Sequence, residues 1–243
     1  MPDILTMFGK RKPAPKPPSP PEEGRMHDGY LPLRKIVPIK PLLWACAWHL
    51  GEARRRSNRN RAAHRDRGRS LNQQGDTLGA FGELFAFFSA LKHKRTDIVS
   101  HMRRHLYHPG GGAQTADTVD IPGIDIKTFG CEAHKSRIAT NAQSHRHLKG
   151  KLDFYYFVLA PLWGREAIVS DLVPWQDVSD WEEYPLGTYD DPSYNIGLDA
   201  FRQLYCPGAS LFGMRANCYG PADISTHKGK ARQLLFSQIP TLR

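Results

Sequence analysis

The apolar residues of this chain first settle into a sustained pattern at 76–92, DTLGAFGELFAFFSALK. Hydrophobic side chains cover most of the circumference there, so the segment is predicted to be a buried helix with Asp76 or Thr77 at its N-cap. Further on, ADTVDI and GIDIKTF alternate apolar and polar positions about a Pro-Gly pair. That is the pattern of two short strands joined in a hairpin over 115–129. LDFYYFVLAPL (152–162) is apolar and β-prone, as a central strand would be. REAIVSDLVPW (165–175) reads as another strand, KSRIATNAQSHRHLK (135–149) as a polar-faced helix, and PLLWACAWHLGEA and DAFRQLY as short helices. Residues 96–108 fit strand, helix or loop. The order helix, hairpin, helix, strand, strand is satisfied by an α/β fold, a mixed sheet of four to five strands flanked by helices.

A chain of 243 residues, 40% hydrophobic, can bury one good core. Residues 10–24, KRKPAPKPPSPPEEG, have the composition of an extended linker. Three regions are therefore expected: a basic, largely flexible arm over 1–70, a compact core over 71–175, and a turn-rich extension over 176–243 that completes the core or contacts substrate.

The net charge of +10 sharpens this division. Residues 1–70 hold sixteen Lys and Arg against six Asp and Glu, and the rest of the chain holds eighteen of each. A basic end on a neutral body points to a polyanion partner. RRRSNRNRAAHRDRGR (54–69) sets eight arginines against Asp66. Arg54, Arg55, Arg56, Arg59, Arg61 and Arg65 are thus candidate phosphate contacts, with DNA as the expected partner. Cys46, Cys131, Cys206 and Cys218 show no CxxC spacing, which suggests neither a zinc site nor a disulfide framework. MPDILTMFGKRK lacks the apolar stretch of a signal peptide, and no apolar run is long enough to cross a bilayer. A soluble, cytoplasmic protein without a membrane partner is expected.

Candidate chemistry gathers on the hairpin. Asp125 and Lys127 are two apart and share a strand face, with Ile124, Ile126 and Thr128 on the other. The second acid is Asp120 if the turn has two residues, because Asp120 then lies opposite Asp125. It is Asp117 if the loop has three, and the sequence leaves the register open. Glu83 is the only ionisable residue between Asp76 and Lys92. A buried lone carboxylate is costly unless paired or bound to metal. His101, His105 and His108, with His145 and His147, form a competing cluster. Their neighbours Arg103 and Arg104 fit a basic surface better than a zinc site.

The helix bearing Glu83, the acid of ADTVDI, the DIK of GIDIKTF, and the helix and apolar strand that follow resemble the PD-(D/E)XK nuclease superfamily, over roughly residues 76–163. Ala116 stands where the family name has proline. A closer likeness to resolvase-like members favours Asp117 as the first acid. The resemblance implies a restriction-endonuclease-like core and hydrolysis of DNA phosphodiester bonds with Mg²⁺, or Mn²⁺ in its place. Asp117 or Asp120, together with Asp125, would hold the metal. Glu83 would bind it directly or through water, and Lys127 would orient the water or steady the phosphate. Gln143 matches a position where relatives place a polar residue near the phosphate. A homodimer is compatible, since cutting two strands commonly takes two active sites. The alternative is a nucleic-acid-binding protein that keeps the fold without catalysis; the joint presence of Glu83, Asp125 and Lys127 argues against it.

Overall fold

A computed structural model describes residues 26–57, 69–107, 119–131, 137–185, 192–209, 214 and 216–242. Asp117, Arg59, Arg61, Arg65, His108 and the Pro-rich segment lie outside them.

Residues 26–57, expected within the flexible arm, belong to the folded body. Met26–His27 (β1) pairs with Leu31–Pro32 (β2), and Lys35–Pro38 (β3) joins the main sheet. Pro41–Ser57 (α1) opens on proline, whose fixed φ suits a first helical turn. Trp44, Ala45, Cys46, Ala47 and Leu50 are buried, and Trp44 Nε1 donates to Gly164 O at 2.7 Å. This apolar stripe outweighs the arginines that follow it, and burial rather than charge decides the helix's place.

Arg69–Lys92 (α2) begins before the predicted N-cap and runs through the buried residues Ala80, Phe81, Leu84, Ala86, Phe87 and Ala90. It is apolar nearly all round because it lies between α1 and the sheet. Trp44 stacks on Phe81 at 3.9 Å. Two glycines set the spacing. A Cβ at Gly51 would come within 2.9 Å of Thr77 N across α1 and α2. One at Gly82 would clash with Thr128 Oγ1 on the sheet. Thr96–His105 (α3) follows.

Four strands form the main sheet in the order β3, Glu166–Pro174 (β7), Leu152–Leu159 (β6) and Gly123–Phe129 (β4). The pair β4–β6 is parallel and the other two are antiparallel. β6 is interior, as its apolar run predicts, and β4 is an edge. Alternation along β6 sends Tyr156 and Val158 into one core with α1 and α2. Tyr155, Phe157 and Leu159 enter a second core on the opposite face.

That second face is covered by a three-stranded antiparallel sheet of Arg137–Asn141 (β5), Pro192–Gly197 (β9) and Glu182–Pro185 (β8). The segment expected as a helix over 135–149 is therefore a strand followed by a short helix, Ala142–His147 (α4). Ile138 and Thr140 are buried alternately with half-buried neighbours, a strand's period. Asn141 Oδ1 accepts the Ser144 N–H at 2.8 Å and caps the helix. Trp175–Ser179 (α5) and Leu198–Tyr205 (α6) add Val178 and Phe201 to this core. Pro221–Ser225 (α7) and Lys228–Gln238 (α8) return to the first, through Ile224, Ala231 and Leu235. Residues beyond 175 thus contribute to both cores. Among the described residues, no helix is long and apolar enough to cross a membrane.

Candidate functional site

The site lies on β4, the edge strand of the main sheet among the described residues, and is assembled from both faces of the sheet. Ile121 and Ile124 exchange both backbone hydrogen bonds, N–O 3.0 and 2.8 Å, around Pro122 and Gly123. Gly123 has φ +74°, which the tight turn requires and glycine supplies without strain. This is the two-residue register, and it sets Asp120 across from Asp125. The N–H of Ile126 points to the same edge as that of Ile124. There the Asp120 carboxylate accepts it at 2.8 Å.

Asp125 and Lys127 face the second core, beside Tyr155 and Phe157, their partners on β6. Lys127 Nζ lies 2.7 Å from Asp125 Oδ2 and 6.0 Å from the centre of the Tyr155 ring. The Lys127 side chain keeps 34% of its surface open, against 10% for Asp125. The ammonium is thus anchored and still within reach of a solute.

Glu83 comes from α2, on the other face, and reaches the same edge. Its charge acts on both Asp120 and Lys127. The Asp120 carboxyl is raised well above the usual carboxylate range, by burial first and then by Glu83 and Asp125; the Ile126 N–H and Lys127 pull it back. Burial works against the Lys127 ammonium, but Asp125, Asp120 and Glu83 outweigh it and keep it a cation beyond its ordinary range. Glu83, Asp120, Asp125 and Lys127 are therefore one electrostatic cluster.

The partner of Glu83 is Arg54, which the sequence assigned to a DNA-binding arm. Arg54 Nη1 donates to Glu83 Oε1 at 2.8 Å and Nη2 donates to Oε2. Its Nε and Nη2 also donate to Leu106 O, at 3.0 and 2.7 Å. Arg55 is likewise committed, to Glu52 at 3.0 and 2.9 Å. Neither can serve as a free phosphate contact, because each guanidinium neutralises an acid of its own fold. Arg56 alone of the three keeps its head in solvent, 69% exposed.

Among the described residues the histidines do not form one cluster. His101 Nε2 lies 3.1 Å from Val119 O, and its ring packs 4.6 Å from that of His105. His147 and Gln143 are exposed on α4. His145 is buried: Nδ1 meets Tyr155 Oη and Nε2 meets Ser179 Oγ, each at 2.9 Å, under the stacked ring of Trp175. No sequence signal marks this network, whose partners lie in separate elements. It fixes the Tyr155 ring that floors the Asp125–Lys127 pair.

Burial first, and Arg146 second, push the His145 imidazole down to about 4. An unfolded chain gains this proton near pH 6.5, the folded one only near 4. The contribution of neutral His145 is therefore complete above pH 6.5 and falls by up to about 1.4 kcal/mol per unit between 6.5 and 4. Asp120 acts oppositely, since a raised carboxyl gains protons on folding. Urea unfolding at pH 7 and 5 should show a smaller acid-side loss in His145→Gln than in wild type. Equal losses would place the titration elsewhere.

The donor set suits a hard divalent cation. Mg²⁺ takes oxygen ligands and is commonly held by one or two carboxylates plus waters and substrate oxygens. Asp120 and Asp125 offer such a pair, and the Asp120 carboxyl is raised by burial first and then by the charges of Glu83 and Asp125. Among the described residues no three Asp, Glu, His or Cys side chains form a ready metal cage; Lys127 holds Asp125 and Arg54 holds Glu83. No protein-family model, curated protein or solved structure matches the chain.

Proposed function

We propose that this chain is a metal-dependent nuclease that hydrolyses DNA phosphodiester bonds on a restriction-endonuclease-like core. One observation carries the reading: a half-buried Asp120 carboxyl across from Asp125, which holds the Lys127 ammonium at 2.7 Å, with the charge of Glu83 acting on both Asp120 and Lys127. Three acids and an amine are drawn together here from a helix, a turn and a strand. The parallel β4–β6 pair, preceded by the helix bearing Glu83, supports the same architecture.

Asp120 and Asp125 would hold Mg²⁺, or Mn²⁺ in its place. The ion, when bound, supplies a coordinated water of lowered pKa and neutralises charge on the phosphate. Asp125 aims the Lys127 ammonium. Lys127 stays protonated, so it acts as a fixed positive charge on the phosphate oxygens rather than as a base. Arg56, and the arginines at 59, 61 and 65 that follow it in the chain, would meet DNA phosphates without reading sequence.

A second reading, a DNA-binding protein without catalysis, is favoured by one observation, the double hydrogen bond that commits Glu83 to Arg54. Incubation with supercoiled plasmid, linear duplex and single-stranded DNA separates the two. Cleavage with Mg²⁺ or Mn²⁺ that chelator stops is expected. DNA bound but uncut in both metals hands the site to the second reading.

A further inference from the structure

Three carboxylates (Glu83, Asp120, Asp125) face two cations (Arg54, Lys127) at the edge of β4. With all three acids ionised around a bound cation, the five groups carry one unit of negative charge. A single divalent ion and one phosphodiester bring that total to zero. A second divalent ion would leave two positive charges buried beside the guanidinium.

Arg54 is not a loose neighbour. Both Glu83 oxygens are taken by its two terminal nitrogens, and Leu106 O, at the end of α3, takes its Nε and Nη2. Swinging it away would strand a buried carboxylate and a carbonyl together. Asp76, which also acts on Arg54 and Arg55, lies two helical turns from Glu83 along α2.

We propose that Arg54 is the resident second cation of this site: it removes Glu83 from the metal's ligand set and leaves a site for one divalent ion on Asp120 and Asp125. The inference rests on the metal-dependent reading above. It makes Glu83 and Arg54 positioning residues. Glu83 contributes charge to Asp120 and Lys127, and Arg54 limits the ion count.

Mn²⁺ titration of the full chain, followed by the electron paramagnetic resonance of free Mn²⁺, tests this without turnover. Wild type is expected to bind one Mn²⁺. Glu83→Gln, which keeps the shape and an acceptor for Arg54, should bind one with affinity within about threefold of wild type. Asp120→Asn should weaken binding by about tenfold or more. Arg54→Met frees Glu83, so it should bind Mn²⁺ about tenfold tighter or take a second equivalent. Two ions in wild type, a tenfold loss in Glu83→Gln, or unchanged binding in a folded Arg54→Met overturns the proposal while the nuclease reading stands. If Arg54→Met does not fold, Glu83→Gln decides alone. No Mn²⁺ bound by wild type, with no metal-dependent cleavage, overturns both.

Discussion

Asp125→Asn is expected to lower metal-dependent DNA cleavage by on the order of 10³-fold, with DNA affinity nearly unchanged. Under the proposed reading the carboxylate has two tasks, and the amide fails at both. It is a poor ligand for a hard cation, and it no longer attracts Lys127 Nζ, now 2.7 Å away. Lys127→Ala should cost about 10²-fold, since it removes the fixed positive charge but leaves both carboxylates. The two losses should not add, because each residue places the other. Single-turnover rates at saturating Mg²⁺, beside a DNA-binding isotherm, give the split. An Asp125→Asn protein that still cuts within tenfold of wild type would remove Asp125 from the chemistry. Lost binding together with lost cutting would mean the fold was damaged instead.

Arg54→Met should destabilise the fold by about 3 kcal/mol or more, the largest stability effect expected among the site residues. The methionine fills much the same space, so packing is not the cause. The cause is Glu83, left charged at a position where only 11% of its side chain meets solvent, and Leu106 O, left without its guanidinium donors. Glu83→Gln removes the charge but keeps an acceptor, and should cost about 1–2 kcal/mol. The double variant Arg54→Met with Glu83→Gln should therefore be more stable than Arg54→Met alone. Urea midpoints at pH 7 complete the cycle. A loss below 1 kcal/mol in Arg54→Met would mean that another group satisfies Glu83.

The strand GIDIKTF shows what local pattern can decide. Side chains two apart share a strand face whatever the rest of the chain does, so Asp125 and Lys127 were bound to point together, with Ile124 and Ile126 inward. The apolar run of β6 likewise required an interior strand, because only burial on both faces repays eight residues of such character. The all-round apolar helix around Glu83 had to be covered on more than one side, and α1 and the sheet cover it.

Partner choice was not local. Arg54 sits in a run of arginines whose composition speaks of phosphate, yet the apolar stripe of α1 drew that helix into the core and delivered Arg54 to Glu83, 29 residues away. The same packing gave Arg55 to Glu52. The residues at 135–149 have a polar face that suits a helix, but pairing with β9, more than fifty residues later, made the first part a strand. The position of Asp120 across from Asp125 turned on a two-residue hairpin register, which depends on how Pro122 and Gly123 bend and not on the spacing of acids. Sequence determined which side chains share a face and which segments must be buried. Tertiary structure alone decided which charge meets which, because opposite charges attract without regard to separation along the chain, and only the folded arrangement of helices and sheet edge brings them within range.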